Sequence, residues 1–118
     1  MNKTLVQILK EIWEEKKEYF ENYRFYCQRI KKESEKILGK NRVLVFGSII
    51  KGKFRPKSDI DVLIISENLP ESQEERDKIR TKIKSAIDPF SPFQIHLANP
   101  KEYQSWYQKF IKEDFEEI

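Results

Sequence analysis

Asp59 and Asp61 stand two residues apart at the head of the most apolar run in the chain, DIDVLIIS over residues 59–66. On an extended strand, residues i and i+2 share a face about 6.6 Å apart, at 3.3 Å per residue. The two carboxylates therefore point the same way from the start of a buried segment. Like charges so placed resist ionisation unless solvent or a cation compensates them. A hard divalent cation is the natural compensation, and Mg²⁺ (or Mn²⁺) takes one or two carboxylates together with substrate phosphates. Just upstream, residues 40–58 carry six cations (Lys40, Arg42, Lys51, Lys53, Arg55, Lys57) and no acid, a local field suited to a polyphosphate. Gly47-Ser48, where an apolar run ends, offers close backbone approach, free N–H groups and a hydroxyl. Together these residues describe a nucleoside triphosphate site. It is not a P-loop, since no G-x-x-x-x-G-K-[ST] occurs.

The elements that must position these groups follow from periodicity. Residues 4–38 contain no Gly or Pro, and Leu5, Leu9, Ile12, Tyr19, Tyr23, Tyr26, Ile30 and Ile37 fall at steps of three and four, interrupted by Lys16 and Ser34. Thr4 suits an N-cap and Gly39 a C-terminal stop. One unbroken helix would be about 50 Å long, more than so small a domain spans. A break near Glu21–Asn22 with both halves covering a sheet is favoured over a first half that projects towards a partner. Arg42–Phe46 reads as a buried strand, Ile49–Gly52 as a short helical turn and Lys53–Ser58, with Pro56, as a loop. Asp59–Ser66 is the strongest strand. Glu71–Ile87 reads as a solvated helix capped by Ser72 and Glu75. Phe93–Ala98 is a third strand, and Pro100 opens a last helix with Trp106, Tyr107, Phe110 and Ile111 as its apolar stripe. The order predicts an α/β (α+β) architecture, a small mixed sheet flanked by helices. It forms a single domain over 1–118, with a helical extension at 1–38 and a catalytic core at 40–112.

Composition bounds the class. At 118 residues the chain can bury a core without staples, and its 13% aromatic content excludes disorder. A single cysteine, Cys27, excludes a disulfide scaffold. No apolar run is long enough for a membrane helix and the N-terminus has no secretory pattern, so a cytoplasmic protein is expected. The net charge of +3 is too mild to argue for nucleic-acid binding by itself. Lys and Glu far outnumber Arg and Asp, a bias that suits a thermophile and also many mesophilic helical proteins.

The stretch GSIIKGKFRPKSDIDVLI, residues 47–64, resembles the signature of the polymerase-beta-like nucleotidyltransferase superfamily, Gly-Ser and then, ten residues on, Asp-x-Asp between strands. It is most similar to the minimal nucleotidyltransferases, with Gly47, Ser48, Gly52, Arg55, Pro56, Ser58, Asp59, Ile60 and Asp61 coinciding. The resemblance implies that Gly47, Ser48, Lys51 and Ser58 hold a nucleotide's phosphates. It also implies that Asp59 and Asp61 coordinate Mg²⁺ (or Mn²⁺) for catalysis, and that a nucleoside monophosphate such as AMP passes to an acceptor hydroxyl. Many such proteins are antitoxins paired with a HEPN-domain toxin, and some adenylylate a tyrosine on it.

Three positions depart from the family pattern. Ile49 replaces an arginine, Lys51 replaces another, and the third strand offers Gln94 and His96 where a third carboxylate is usual. Either Gln94 or His96 would then complete the catalytic set. The rival is a degenerate member that acts by binding a partner. Alone, Asp-x-Asp is a frequent chance match, a loop of lysines is usually a solvated surface, and a lone histidine on a strand is more often structural. Trp106 and Tyr107 read as core ahead of a stacking platform, and Cys27 as a buried helix residue. The breaker-free N-terminal stretch, with its stripe of Tyr19, Tyr23 and Tyr26, suggests a homo-oligomer or a docked partner.

Overall fold

The computed structural model describes residues 2–53, 55 and 57–118; Phe54 and the motif's Pro56, in the loop expected over Lys53–Ser58, lie outside the described residues. The N-terminal stretch breaks near Glu21–Asn22 as expected, but only its second half covers the sheet: of the first half Phe20 alone is buried, and residues 2–12 are exposed. Helix α1 (Leu5–Glu21) ends at Asn22 and α2 (Tyr23–Leu38) follows at once. Thr4 caps α1, accepting from the Gln7 N–H while the Gln7 side chain accepts from the Thr4 N–H. Strand β1 is Arg42–Phe46, β2 Ile60–Ile65 and β3 Phe93–Ala98, with α3 (Gln73–Ile87) crossing between β2 and β3. A fourth strand, β4 (Phe115–Glu117), is additional to the sequence reading. The sheet order is β3-β2-β1-β4, with β2–β3 parallel and the other two pairs antiparallel.

Alternation along the strands sorts side chains to two faces. Val43, Val45, Ile60, Val62, Ile64, Phe93, Ile95 and Leu97 meet Cys27 and Ile30 of α2 and Ile83 of α3 in the larger core. Cys27 is fully buried, which pushes its thiol up to about 12. Leu44, Phe46, Leu63, Ile65 and Ala98 form a smaller core on the other face, with Ile111 and, at its edge, Tyr103, Tyr107 and Phe115. Arg76 of α3, absent from any apolar pattern, is nonetheless buried. Its guanidinium donates to the Pro70 carbonyl at 2.7 Å and to the Glu102 carboxylate at 2.9 and 3.0 Å.

Ile49–Gly52 forms the short helical turn expected: the Ile50 and Lys51 N–H groups both donate to the Gly47 carbonyl, the second as an i→i−4 bond, and the chain then leaves through Gly52 at φ +66°. Two further sequence readings need correction. The last helix is composite. Pro100–Glu102 (α4) and Gln108–Ile111 (α5) are α-helical, but Tyr103–Tyr107 between them is a π-helical turn. The wider turn shifts the helical phase, so the stripe divides: Ile111 is buried and Tyr107 half-buried, while Trp106 is 76% and Phe110 73% exposed. Finally, the tyrosine stripe is occupied by its own chain. Tyr19 and Tyr26 close on Phe93, with ring centroids 5.9 and 6.1 Å away, and the Tyr23 hydroxyl donates to Glu116 at 2.9 Å.

Candidate active site

Gly47 ends β1 at φ +88°, a conformation that side chains disfavour. A Cβ built there would lie 2.5 Å from Asp61 Oδ2. Only glycine lets the backbone turn come so close to this carboxylate. The pairing explains the approach, because Phe46, the residue before the turn, sits opposite Asp61 in the β1–β2 register. Ile49, one of the departures from the family pattern, is buried in the larger core, so it anchors the turn from below. Ser48 is half-buried, and its carbonyl accepts from the Lys53 N–H at 3.0 Å, closing the turn. Ser58 secures the loop on the other side, its Oγ accepting from the Arg55 N–H at 2.8 Å.

Asp61 lies on the strand face that carries Leu63 and Ile65, and Asp59, exposed just before the strand, precedes it by two residues. On β3, Gln94 is the register partner of Asp61 and is exposed, whereas His96 turns its Nε2 to 3.2 Å from Asp61 Oδ1. An ionised carboxylate only accepts, so in the neutral imidazole this contact sets the proton on Nε2 and the lone pair on Nδ1. The imidazole is fixed by aromatic neighbours, Phe46 at 5.4 Å and Tyr107 at 6.1 Å between centroids.

Two clefts meet at this point. One, of about 120 Å³, is lined by Gly47, Lys51, Asp61 and Asp114 with Phe46, Phe110 and Ile111. The second opens beside His96 between Trp106, Tyr107 and Phe110, with Ser105 and Lys109 on its rim. Phe110 and the Asp61–His96 contact connect them. The structure brings Gly47, Lys51, Asp61 and His96 together, and adds Asp114, which the sequence reasoning did not name. No local motif marks that aspartate. It reaches the cleft because Lys112 adopts φ +54° and the chain reverses, with the Asp114 N–H donating to the Ile111 carbonyl at 3.1 Å.

Among the described residues no three His, Cys, Asp or Glu side chains converge closely enough to hold a metal by themselves. The carboxylates on offer are Asp61 and Asp114, which line one cleft, and Asp59, two residues before Asp61; oxygen donors of this kind suit Mg²⁺, which retains water and substrate oxygens in its shell.

Residues 27–117 match the nucleotidyltransferase domain family. The chain belongs to that family. Among solved structures, this nucleotidyltransferase domain is similar to the crystal structure of a candidate nucleotidyltransferase at 26% identity and TM-score 0.62, over 77% of this chain and 95% of that one. A second likeness, to a candidate nucleotidyltransferase from Sulfolobus solfataricus, has 19% identity and TM-score 0.52, over 78% of this chain and 75% of that one; it bears on the fold alone. No curated protein matches. The mixed sheet expected from the residues is thus the nucleotidyltransferase fold, and α1 stands outside the matched residues. No described helix is long and apolar enough to cross a membrane.

Proposed function

We propose that the chain transfers a nucleoside monophosphate, AMP in the first instance, from a nucleoside triphosphate to an acceptor hydroxyl. The observation that carries this reading is the approach of the Gly47 turn to Asp61, with Lys51 lining the same cleft. The Ser48 and Ile49 backbone N–H groups, the Ser48 hydroxyl and the Lys51 ammonium are the phosphate-binding groups. Asp59 and Asp61 would hold Mg²⁺ or Mn²⁺, which when bound supplies charge neutralisation at the reacting phosphoryl group. Phosphoryl transfer needs little covalent help from a protein, so positioning and charge supply the catalysis.

In-line displacement sends the leaving pyrophosphate and the attacking hydroxyl to opposite sides of the reacting phosphorus. With pyrophosphate on the Gly47–Ser48 turn, the acceptor enters from the side of His96. There the lone pair on Nδ1 can take its proton, and Trp106 and Phe110 wall the approach. Asp114, across the cleft from Asp61, is the acid this chain offers in place of a third-strand carboxylate.

The second reading is a partner-binding, antitoxin-like protein of weak activity, with a HEPN-domain protein as partner. What favours it is the register of β3, which sets Gln94 and not an acid beside Asp61. Calorimetry with ATP and Mg²⁺, on wild type and on Asp59→Asn/Asp61→Asn, tests the site; equal affinity in both proteins rejects it. Labelled ATP with host lysate then tests transfer. In that assay Gln94→Glu should raise turnover with little change in ATP affinity, and absence of any transfer with Mg²⁺ or Mn²⁺ leaves the partner-binding reading standing.

A further inference from the structure

His96 lies between two clefts whose linings differ in chemistry. On one side Trp106, Tyr107 and Phe110 form an aromatic cleft of about 780 Å³, with Lys109 on its rim. Trp106 and Phe110 are both exposed. Phe110 stands edge-to-face with Phe46 at 6.0 Å between centroids, and His96 lies 5.4 Å from the same Phe46 ring. On the other side is a groove between α3 and β3, lined by Arg80, Thr81 and Lys84 from the helix and by Gln94 from the strand. Because β3 is the outer strand of the sheet, no further strand closes this groove. The two clefts are close neighbours: burial raises the pKa of the Tyr107 hydroxyl, and the Arg80 charge opposes that rise.

Neither lining contains a carboxylate, in a chain with 20 Asp and Glu residues. Asp77 pairs with Arg80 from beyond the lining, and a largely exposed pair of this kind contributes little. Lys84 and Lys109 have no acidic partner among the described residues. Such a surface repels a cationic acceptor. A serine, a threonine or a small neutral alcohol would use neither the rings nor the cations, and a tyrosine would use the rings alone. A nucleotide uses both, since its base stacks on exposed rings while its phosphate meets Arg and Lys. Aromatic side chains beside a basic groove are the recurring means of holding a single strand. Arg80 and Lys84 stand one turn apart, about 6 Å along α3, so the groove offers more than one phosphate contact.

We propose that the acceptor is the 3′ hydroxyl of a single-stranded nucleic acid, its last base stacked on Trp106 and Phe110 and its phosphates on Arg80 and Lys84. The proposal rests on the transferase reading and names its acceptor. The 3′ oxygen forms a bond to the α-phosphorus of ATP, the bond from that phosphorus to the pyrophosphate oxygen breaks, and pyrophosphate leaves. The proton of the hydroxyl goes to His96, as in that reading. The strand then ends in a new 3′ hydroxyl, one nucleotide further on.

Fluorescence anisotropy of a short 5′-labelled RNA, and of the DNA strand of the same sequence, reads binding without catalysis. Trp106→Ala should weaken binding about fivefold or more and leave its salt dependence as it was. Arg80→Gln/Lys84→Gln should weaken it about tenfold and flatten the slope of log affinity against log salt by about 1.4, two phosphates at about 0.7 each. None of the three side chains is buried, so the variants' circular dichroism should match wild type. With ATP and Mg²⁺, a strand ending in a 3′ hydroxyl should be extended, and the same strand ending in a 3′ phosphate should bind without extension. Extension of either the RNA or the DNA supports the proposal and identifies the sugar preferred. It is overturned if wild type binds neither strand, if the substitutions leave binding unchanged, if bound strands are never extended, or if labelled AMP appears only on a protein in nuclease-treated lysate. Calorimetry with ATP and Mg²⁺ separates the two levels. ATP binding without strand binding sinks the acceptor assignment alone, and absence of ATP binding sinks the transferase reading beneath it.

Discussion

The two faces of the sheet are built to different ends. One is sealed: Val43, Val45, Val62 and Ile64 are fully buried under α2 and α3, and every position of β1, β2 and β3 facing that way is apolar, with one acid, Glu116 of β4, at the sheet edge. The other is covered only in part, by the composite helix and the C-terminal turn, and it is here that Asp61, His96 and the exposed rings of Trp106 and Phe110 lie. The difference teaches where a small domain can keep polar chemistry. A carboxylate at the centre of the sealed face would be an uncompensated buried charge; Glu116 is tolerated there only at the edge strand, where Arg24 and the Tyr23 hydroxyl meet it. At the margin of the thin face, water, a cation or a substrate can reach it while the strands still fix its position.

That contrast can be broken, most severely on the sealed side. Ile64→Ala should cost about 3 kcal/mol of stability, read by urea denaturation, whereas Asp61→Asn should cost less than about 1 kcal/mol and instead remove Mg²⁺-dependent ATP binding. A large stability loss with Asp61→Asn would mean that the carboxylate is a structural element, and the distinction between the faces would fail.

Glu102 tests the seam between the faces. Burial pushes its carboxyl up, but the Asn99 backbone N–H and the Arg76 guanidinium outweigh this and hold it below the usual carboxylate range. Its contribution is therefore fully present above the carboxylate's unfolded value, about pH 4.3, and is lost as pH falls through the lowered folded value. Glu102→Gln should destabilise by roughly 2 kcal/mol at pH 7, since it leaves the buried Arg76 guanidinium without its counter-charge. The gap between wild type and variant should narrow on acidification below about pH 4. A gap constant from pH 7 to pH 3 would contradict the assignment.

Gly47→Ala sharpens the comparison at the turn. Because the added methyl would meet the Asp61 carboxylate at a backbone angle that already disfavours it, ATP affinity should fall about tenfold or more. Gly52→Ala, where nothing lies within 4 Å, should cost only the positive-φ strain, about 1 kcal/mol. The smallest expected effects are at the rim. Asp114→Asn and Trp106→Ala should each leave the unfolding midpoint nearly unchanged. Asp114→Asn should lower turnover, and Trp106→Ala should raise the acceptor KM by a few-fold with kcat preserved.

What the sequence made legible follows the same division. Strands β1 and β3 were bounded to the residue because one is an apolar run stopped by Gly and the other an alternation of apolar residues with Gln94 and His96, stopped by Asn-Pro. The α1–α2 break was expected from a limit on length that the molecule does not obey, since its long axis is 52 Å. Strand β4 was not legible, since three residues including Glu116 and Glu117 carry no strand signal until β1 offers its edge and Arg24 and Arg42 take up the charges. The π-helical turn left the α pattern intact on paper and still rotated Trp106 and Phe110 outwards. Of the candidate site, the Gly47 turn and Asp61 were legible as a spaced motif. Asp114 was not, because its place depends wholly on how the last helix ends.

Cys27 has a use of a different kind. Its thiol is sealed between α2 and the sheet, and reagents attack the thiolate, so alkylation must wait for that layer to part. The rate of labelling is thus a clock for opening of the larger core. Run with and without ATP and Mg²⁺, it would report whether filling the cleft on one face tightens the packing on the other.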